Sequence, residues 1–373
     1  MEILHSKTST SEFRGIELEN GLCAVLISEP LCQDDGYGSQ YPAAVSLAVR
    51  PSKLIKGIPN LFVFVFFVEH MLFMGSKRFS GDITNFLAKH GGSSNGFTEK
   101  EHTILYLHVK PDYLKPTLER FSDFLIAPVL DPALMAKEIC AIDSEYNTHK
   151  ENNFNLIEGL RAHTSKKGHI FNRFCCGNKE SLSNANPNLG EHAKKLFDEC
   201  FSGGAMKLCV IGGEDLDTLE SWVRRFFGPI RKGPPKTIHI PAFNIREPIW
   251  DASISYGLQI KAGHILEISW ILPPLSPNFY LERPEQYLVK LLNQQGKGSL
   301  FAFFKNEGWA NSLNVVPFDG CNCTSVGCLF IISMNLTLSG LEKRYELISY
   351  TYQYLMLGVD PTPTKGPGPG KSP

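Results

Sequence analysis

In the first 230 residues the apolar positions change period repeatedly, and each change predicts an element. "GIELENGLCAVLIS" is two β-rich runs joined by Glu19-Asn20-Gly21, and its Asn-Gly pair favours a tight hairpin turn. "AAVSLAVR" predicts a third strand. In "GDITNFLAKHGG" the period lengthens to that of a helix, which Gly91-Gly92 stop, and "HTILYLHV" returns to alternation. "LKPTLERFSDFL" puts Leu114, Leu118, Phe121 and Leu125 on one helical stripe. Asp131-Pro132 then supplies an N-cap and a proline at the first helical position, so a helix should run through "ALMAKEICAIDSEYNTHKE". "MKLCVIGG" predicts a late strand and "LDTLESWVRRFF" the helix after it.

Gly228 to Pro235, "GPIRKGPP", reads as a linker because of its proline and glycine content. Beyond it the order of elements repeats. "NFLAKHGG", "SSNGFTEKEHTILYLHV" and "LKPTLERFSDFL" correspond to "LFAFFKNEGW", "ANSLNVV…GCLFIISMNL" and "SGLEKRYELISYTYQYL". Helix, glycine, strand, strand, helix occurs twice at similar lengths, which predicts a duplicated α+β unit with a mixed or antiparallel sheet packed against helices. The expected divisions are a first domain over 1–230, a second and incomplete one over 236–358, and a Pro/Gly-rich tail over 359–373 that does not fold.

One segment breaks the ordinary pattern. "FVFVFFVEHMLFMGS", Phe62 to Ser76, is almost wholly apolar yet carries Glu69 and His70. Ionisable groups avoid such surroundings unless a metal ion, or solvent at a cleft, compensates them. If Leu61 to Met74 is helical, positions 66, 69 and 70 share a face. A peptidase zinc site of the inverted H-x-x-E-H type needs a histidine at each end of that window and a carboxylate base beside the second. Here the window reads Phe66-Phe67-Val68-Glu69-His70, so the base and second histidine are present and the first histidine is Phe. On the Asp131 helix, Glu138 and Glu145 are two turns apart and face the same way. Glu145 is placed to approach a metal, and Glu138 to orient a neighbouring group.

Composition narrows the classes. The 373 residues carry 37 Lys+Arg against 38 Asp+Glu, a formal charge of −1. That balance gives no electrostatic footprint for nucleic acid or anionic lipid. Leu61 to Val68 is the longest unbroken apolar stretch, far short of the ~20 residues of a membrane span. The first 21 residues lack an apolar signal core, and ten cysteines without one read as reduced thiols, so the expected location is cytoplasmic. Cys321, Cys323 and Cys328 cluster in a Gly/Asn-rich stretch and lack a fourth ligand for a zinc clip. His102, His108, His163 and His169 read as structural or exposed, and "QQGKGS" lacks phosphate-loop spacing.

"FVEHMLFMGS", "KHGGSSNGFTEKEHT", "EICAIDSEYN", "KGHIFNRFCCGNKESL" and "GKGSLFAFFKNEGWANSL", in this order, resemble the insulinase (M16) family of metallopeptidases, and its nardilysin-like branch most. The resemblance runs from about Arg14 to about Leu357 and covers the first half of the four-domain family enzyme. It implies one zinc ion, Glu69 as general base, His70 and Glu145 as ligands, Glu138 as supporting acid, and Asn95 meeting the backbone of a peptide substrate beside an edge strand. Glu145 follows His70 by 75 residues, the spacing of the family's third ligand. The family's G-L-A-H-F-L-E-H, however, reads Val63-Phe64-Val65-Phe66-Phe67-Val68-Glu69-His70. The resemblance therefore implies peptide hydrolysis by ancestry in a chain impaired or inactive as written. The alternative is a non-catalytic homologue that binds peptides or pairs with a second insulinase-type half.

Overall fold

The computed structural model describes residues 10–30, 42–50, 61–167, 169–172, 177–183, 188–233, 263–273, 284–316, 323–324 and 327–357. The expected tail over 359–373, Cys321 and most of the stretch between the repeats lie outside these residues. The chain divides into two compact units, Met1–Leu258 and Gln259–Pro373.

The first unit opens with β1 (Glu12–Glu17) and β2 (Cys23–Ser28), followed by β3 (Ala43–Val49), α1 (Leu61–Phe73), α2 (Ile83–Lys89), β4 (Ser93–Thr98) and β5 (Thr103–Val109). Four helices come next: α3 (Leu114–Ile126), α4 (Pro132–His149), α5 (Asn153–Thr164) and the short α6 (Lys179–Ser183). It closes with α7 (Leu189–Cys200), β6 (Met206–Gly212) and α8 (Leu216–Phe227). Six strands form one sheet in the order β1-β2-β6-β3-β5-β4. Only β2 and β6 run parallel; the other pairs are antiparallel. The predicted alternation is visible as burial: Ala43, Val45, Leu47 and Val49 of β3 and Leu105, Leu107 and Val109 of β5 turn inward. They meet the apolar stripes of α1, α3, α7 and α8 in one continuous core.

The β1–β2 turn is the expected one, with Gly21 at φ +89°, where a side chain would be strained. Its neighbour Asn20 reaches further than a turn residue need. Its Nδ2 donates to the carbonyls of Phe227, at 2.8 Å, and Ile230, at 3.1 Å, beyond the end of α8. This explains a correction. Gly228–Gly233, the first six residues of the expected linker, are packed onto the first unit. Ile230 is buried, and Arg231 donates to the carbonyls of Phe197 and Phe201. Glycine and proline content signalled a linker there, while Ile230 and Arg231 tie residues 228–233 to the first unit.

The second unit contains β7 (His264–Leu272), α9 (Pro284–Leu292), α10 (Leu300–Asn306), β8 (Ala310–Val316), β9 (Cys323–Thr324), β10 (Gly327–Leu336), α11 (Leu338–Glu342) and α12 (Arg344–Leu357). β10 is central, antiparallel to β7 and β8 and also to the short β9. Phe330, Ile332, Met334 and Leu336 of β10 pack with Phe301, Phe304 and Leu347 from the helices, so this unit has its own core. The fold is the expected α+β duplication of sheet-on-helix units.

Candidate metal centre

Helix α1 is apolar on every side because every side is covered, by β4, β5, α3, α4 and α7. Val63, Phe64, Val65, Phe67, Val68, Met71 and Leu72 are all essentially inaccessible. Glu69 and His70 lie within this packed run, and the structure shows what compensates each.

The Glu69 carboxyl is 4% exposed and faces β4. Its Oε2 accepts a 2.5 Å hydrogen bond from Thr98 Oγ1. Gly96, two residues earlier on the same strand, makes this approach geometrically feasible: a Cβ there would sit 2.6 Å from Glu69 Oε1. Burial, opposed by the Thr98 hydrogen bond and the His70 charge and aided by Glu145, raises the Glu69 pKa to about 7. A carboxyl so poised can hold or release a proton near neutrality.

His70 points to α4. Its Nδ1 donates to Glu138 Oε1 at 2.8 Å, and its Nε2 stands 3.7 Å from Glu145 Oε2. Burial works against the imidazolium, but the Glu138 hydrogen bond and the charges of Glu69, Glu138 and Glu145 outweigh it and raise the His70 pKa. Glu138 is buried with Met135 and Ile142 on the inner stripe of α4, whereas the Glu145 side chain is 49% exposed. The 3.6-residue period that put the two acids on one face thus brings both to the same imidazole. With Nδ1 committed to Glu138, the Nε2 lone pair is left toward Glu145, the arrangement in which an imidazole binds a metal.

The zinc implied by the sequence can be tested against this donor set. Catalytic zinc takes three protein donors and keeps a further position for water. Bonds of ~2.0–2.1 Å at a tetrahedral angle separate two donors by roughly 3.4 Å, close to the 3.7 Å between His70 Nε2 and Glu145 Oε2. The third place is filled by carbon. The Phe66 ring lies edge-on to the His70 ring, centroids 4.6 Å apart and planes at 73°. Phe66 also packs against the apolar core, and a Cβ on Gly177 would be in ordinary contact with it, at 3.6 Å. Among the described residues no three His, Cys, Asp or Glu side chains group to hold a metal ion. Among the described residues, the donors gathered at His70 therefore fall short of a catalytic zinc set.

Asn95 is exposed on β4, the edge strand of the six-stranded sheet, with its Oδ1 accepting from the Gly96 amide. Three of the other histidines make contacts of their own. His169 is buried and stacked on Phe171, His108 meets Ser93 across β4 and β5, and His102 pairs with Glu99. Two residues that shape the site had no signal in the sequence, Gly96 and Thr98. They contact Glu69 from 27 and 29 positions away, a distance no local pattern bridges. Among the described residues no helix is long and apolar enough to cross a membrane.

Residues 64–176 match Insulinase (Peptidase family M16), and residues 190–358 match the Peptidase M16 inactive domain. A protein named nardilysin-like from Arabidopsis thaliana is 47% identical over 298 residues, covering 78% of this chain and 29% of its own length. Insulin-degrading enzyme from Drosophila melanogaster is 33% identical over 362 residues, covering 94% of this chain and 34% of its own length. The chain thus spans about a third of the length of these curated relatives. Pitrilysin superposes with a TM-score of 0.77 at 21% identity over 95% of this chain and 37% of that one. A protease from Helicobacter pylori superposes with a TM-score of 0.70 at 13% identity, over 92% and 79%. These two structures share the fold, and with the two matched regions in order along the sequence, the chain belongs to the insulinase family, peptidase M16.

Proposed function

We propose that Glu69, His70, Glu138 and Glu145 are a zinc-peptidase site from which one ligand has been replaced, leaving the chain impaired or inactive as a metalloendopeptidase. In this reading His70 and Glu145 are the surviving ligands, Glu69 stands at the place of the general base, and Glu138 orients His70. The observation that carries the reading is the Phe66 ring edge-on to His70, beside a Nε2-to-carboxylate pair spaced as two metal ligands are. A phenyl group donates no lone pair to zinc, and loss even of a supporting group around a metal costs ~10–100-fold in affinity or activity. Hydrolysis then has no complete metal centre to run on.

A second reading follows from a different feature. β4 is an edge strand with Asn95 and Phe97 exposed, so an extended peptide could add to it by main-chain hydrogen bonds. Peptide binding would survive there without hydrolysis, by this chain alone or paired with a second insulinase-type half. An internally quenched peptide, incubated with the chain and added zinc, tests the proposal. The expected result is no cleavage that a chelator abolishes. Chelator-sensitive turnover that disappears in Glu69→Gln would overturn it. Anisotropy of an uncleavable version of the same peptide reports the binding reading separately.

A further inference from the structure

The cysteine cluster is not used by the site on α1. In the second unit, β9 and β10 pair antiparallel with Thr324 opposite Gly327 and Cys323 opposite Cys328. Only two residues separate Thr324 from Gly327. In a hairpin with a two-residue loop the pair beside the loop exchanges both backbone hydrogen bonds, so the next pair outward is the non-hydrogen-bonded kind. Residues in such a pair have Cα atoms ~4.5 Å apart and side chains on the same face. A disulfide spans Cα separations of ~4.4–6.8 Å. The register pairing of Cys323 with Cys328 is therefore compatible with a bridge between the two strands. Thr324 Oγ1 donates to the Gly327 carbonyl at 2.9 Å across the same pair of strands. β10 is fixed on its other side by an unbroken register with β7 from Cys328 to Leu336, so Cys328 cannot retreat.

We infer that Cys323 and Cys328 form a dithiol modification site that a low-molecular-weight disulfide of the glutathione type converts to a cross-strand bridge. Cys323 is half-buried and Cys328 fully buried, which fixes the order of events. The Cys323 thiolate attacks one sulfur of the oxidised glutathione and releases one glutathione thiolate. The Cys328 thiolate then attacks the mixed disulfide at the Cys323 sulfur and releases the second. Two protein thiols are oxidised and one disulfide is reduced to two thiols, with the two protons passing to the released thiolates. Cys140, exposed and carried on α4, supplies the internal contrast: a cysteine that the same reagent labels without bridging.

The test equilibrates the full chain with graded ratios of oxidised to reduced glutathione, traps remaining thiols with an alkylating agent and maps the peptides by mass spectrometry. The expected result is a peptide containing both Cys323 and Cys328 that has lost two hydrogens, with neither cysteine alkylated. It should persist in Cys321→Ser, and in Cys328→Ser it should give way to a glutathione adduct on Cys323. Full alkylation of Cys323 and Cys328 at a ratio that saturates Cys140 would overturn the inference. So would a bridge that disappears in Cys321→Ser.

Discussion

Two stretches of this protein run through the same succession of elements. In the first unit α2, β4, β5 and α3 follow one another, and in the second α10, β8, β10 and α12 come in the same order, with the short β9 and α11 interposed. Both helices of the leading pair end in a glycine with positive φ, Gly91 at +68° and Gly308 at +70°, just before the next strand. The difference lies in what the helix before each stretch carries. α1 holds Glu69 and His70 within a packed apolar run, whereas α9, "PEQYLVKLL", turns Leu288, Val289 and Leu292 toward its core and its lysine outward. Among the described residues the buried polar groups of the second unit are Ser299, Thr324 and Thr351, none of them ionisable. The same framework therefore closes without buried charge. The first unit, by contrast, buries Glu69 and Glu138 as well as Lys100, Glu101 and His169, and burying an acid costs stability unless something compensates it.

That contrast can be broken or sharpened by substitution. The largest effect should come from the framework. Phe304→Ala empties a fully buried site in the second core and should destabilise by about 3–5 kcal/mol in chemical denaturation. A near-neutral outcome would show that this core is not packed as described.

The next effect has the opposite sign. In the folded protein the Glu69 pKa is raised to about 7 from the ordinary carboxyl value of 4.5. Between those values the folded state keeps a proton that the unfolded state has lost, so stability falls as pH rises through the window and levels off above it. In chelator-treated protein, Glu69→Gln should raise stability at pH 8 by on the order of 2–3 kcal/mol and flatten that decline. A loss of stability at pH 8 would contradict the burial argument.

Gly91→Ala and Gly308→Ala should each cost about 1 kcal/mol, because alanine is strained in the left-handed region at both helix ends. Unequal penalties would locate where the two copies diverge, since a Cβ at 308 meets open space and one at 91 meets the flexible Lys110 side chain. Smallest of all, Glu145→Gln should shift stability by no more than about 0.5 kcal/mol, its side chain being half-exposed and its pair with His70 only partly sheltered. The contribution expected of Glu145 is to metal binding.

Much of this was legible in the residues. The Glu138–Glu145 spacing and the Glu69-His70 pair are local patterns, and a regular helix converts them directly into shared faces. The Asp131 N-cap appears as read, its Oδ1 accepting from Ala133 and Leu134. Hidden from the sequence were relations that close only in three dimensions. Thr98 and Gly96 matter because β4 returns beside α1, and Asn20 matters because α8 ends beside the first hairpin. α5 also escaped notice: "NFNLIEGLRAHT" has no fully buried residue and no clean apolar stripe, and it starts from an Asn152 cap that accepts from Phe154. Phe66 in the place of a ligand, by contrast, was an expectation from the sequence pattern alone, and the structure adds how the ring meets His70.

The central claim is that one phenyl ring separates this site from a metal centre. It is tested most directly by zinc stoichiometry, measured by elemental analysis after dialysis against dilute zinc. The samples are the chain, Phe66→His, and Phe66→His combined with Glu145→Gln. The account expects little zinc in the chain, close to one ion per molecule in Phe66→His, and loss again in the double variant. One tightly held zinc in the unaltered chain, removed by Glu145→Gln, would contradict it.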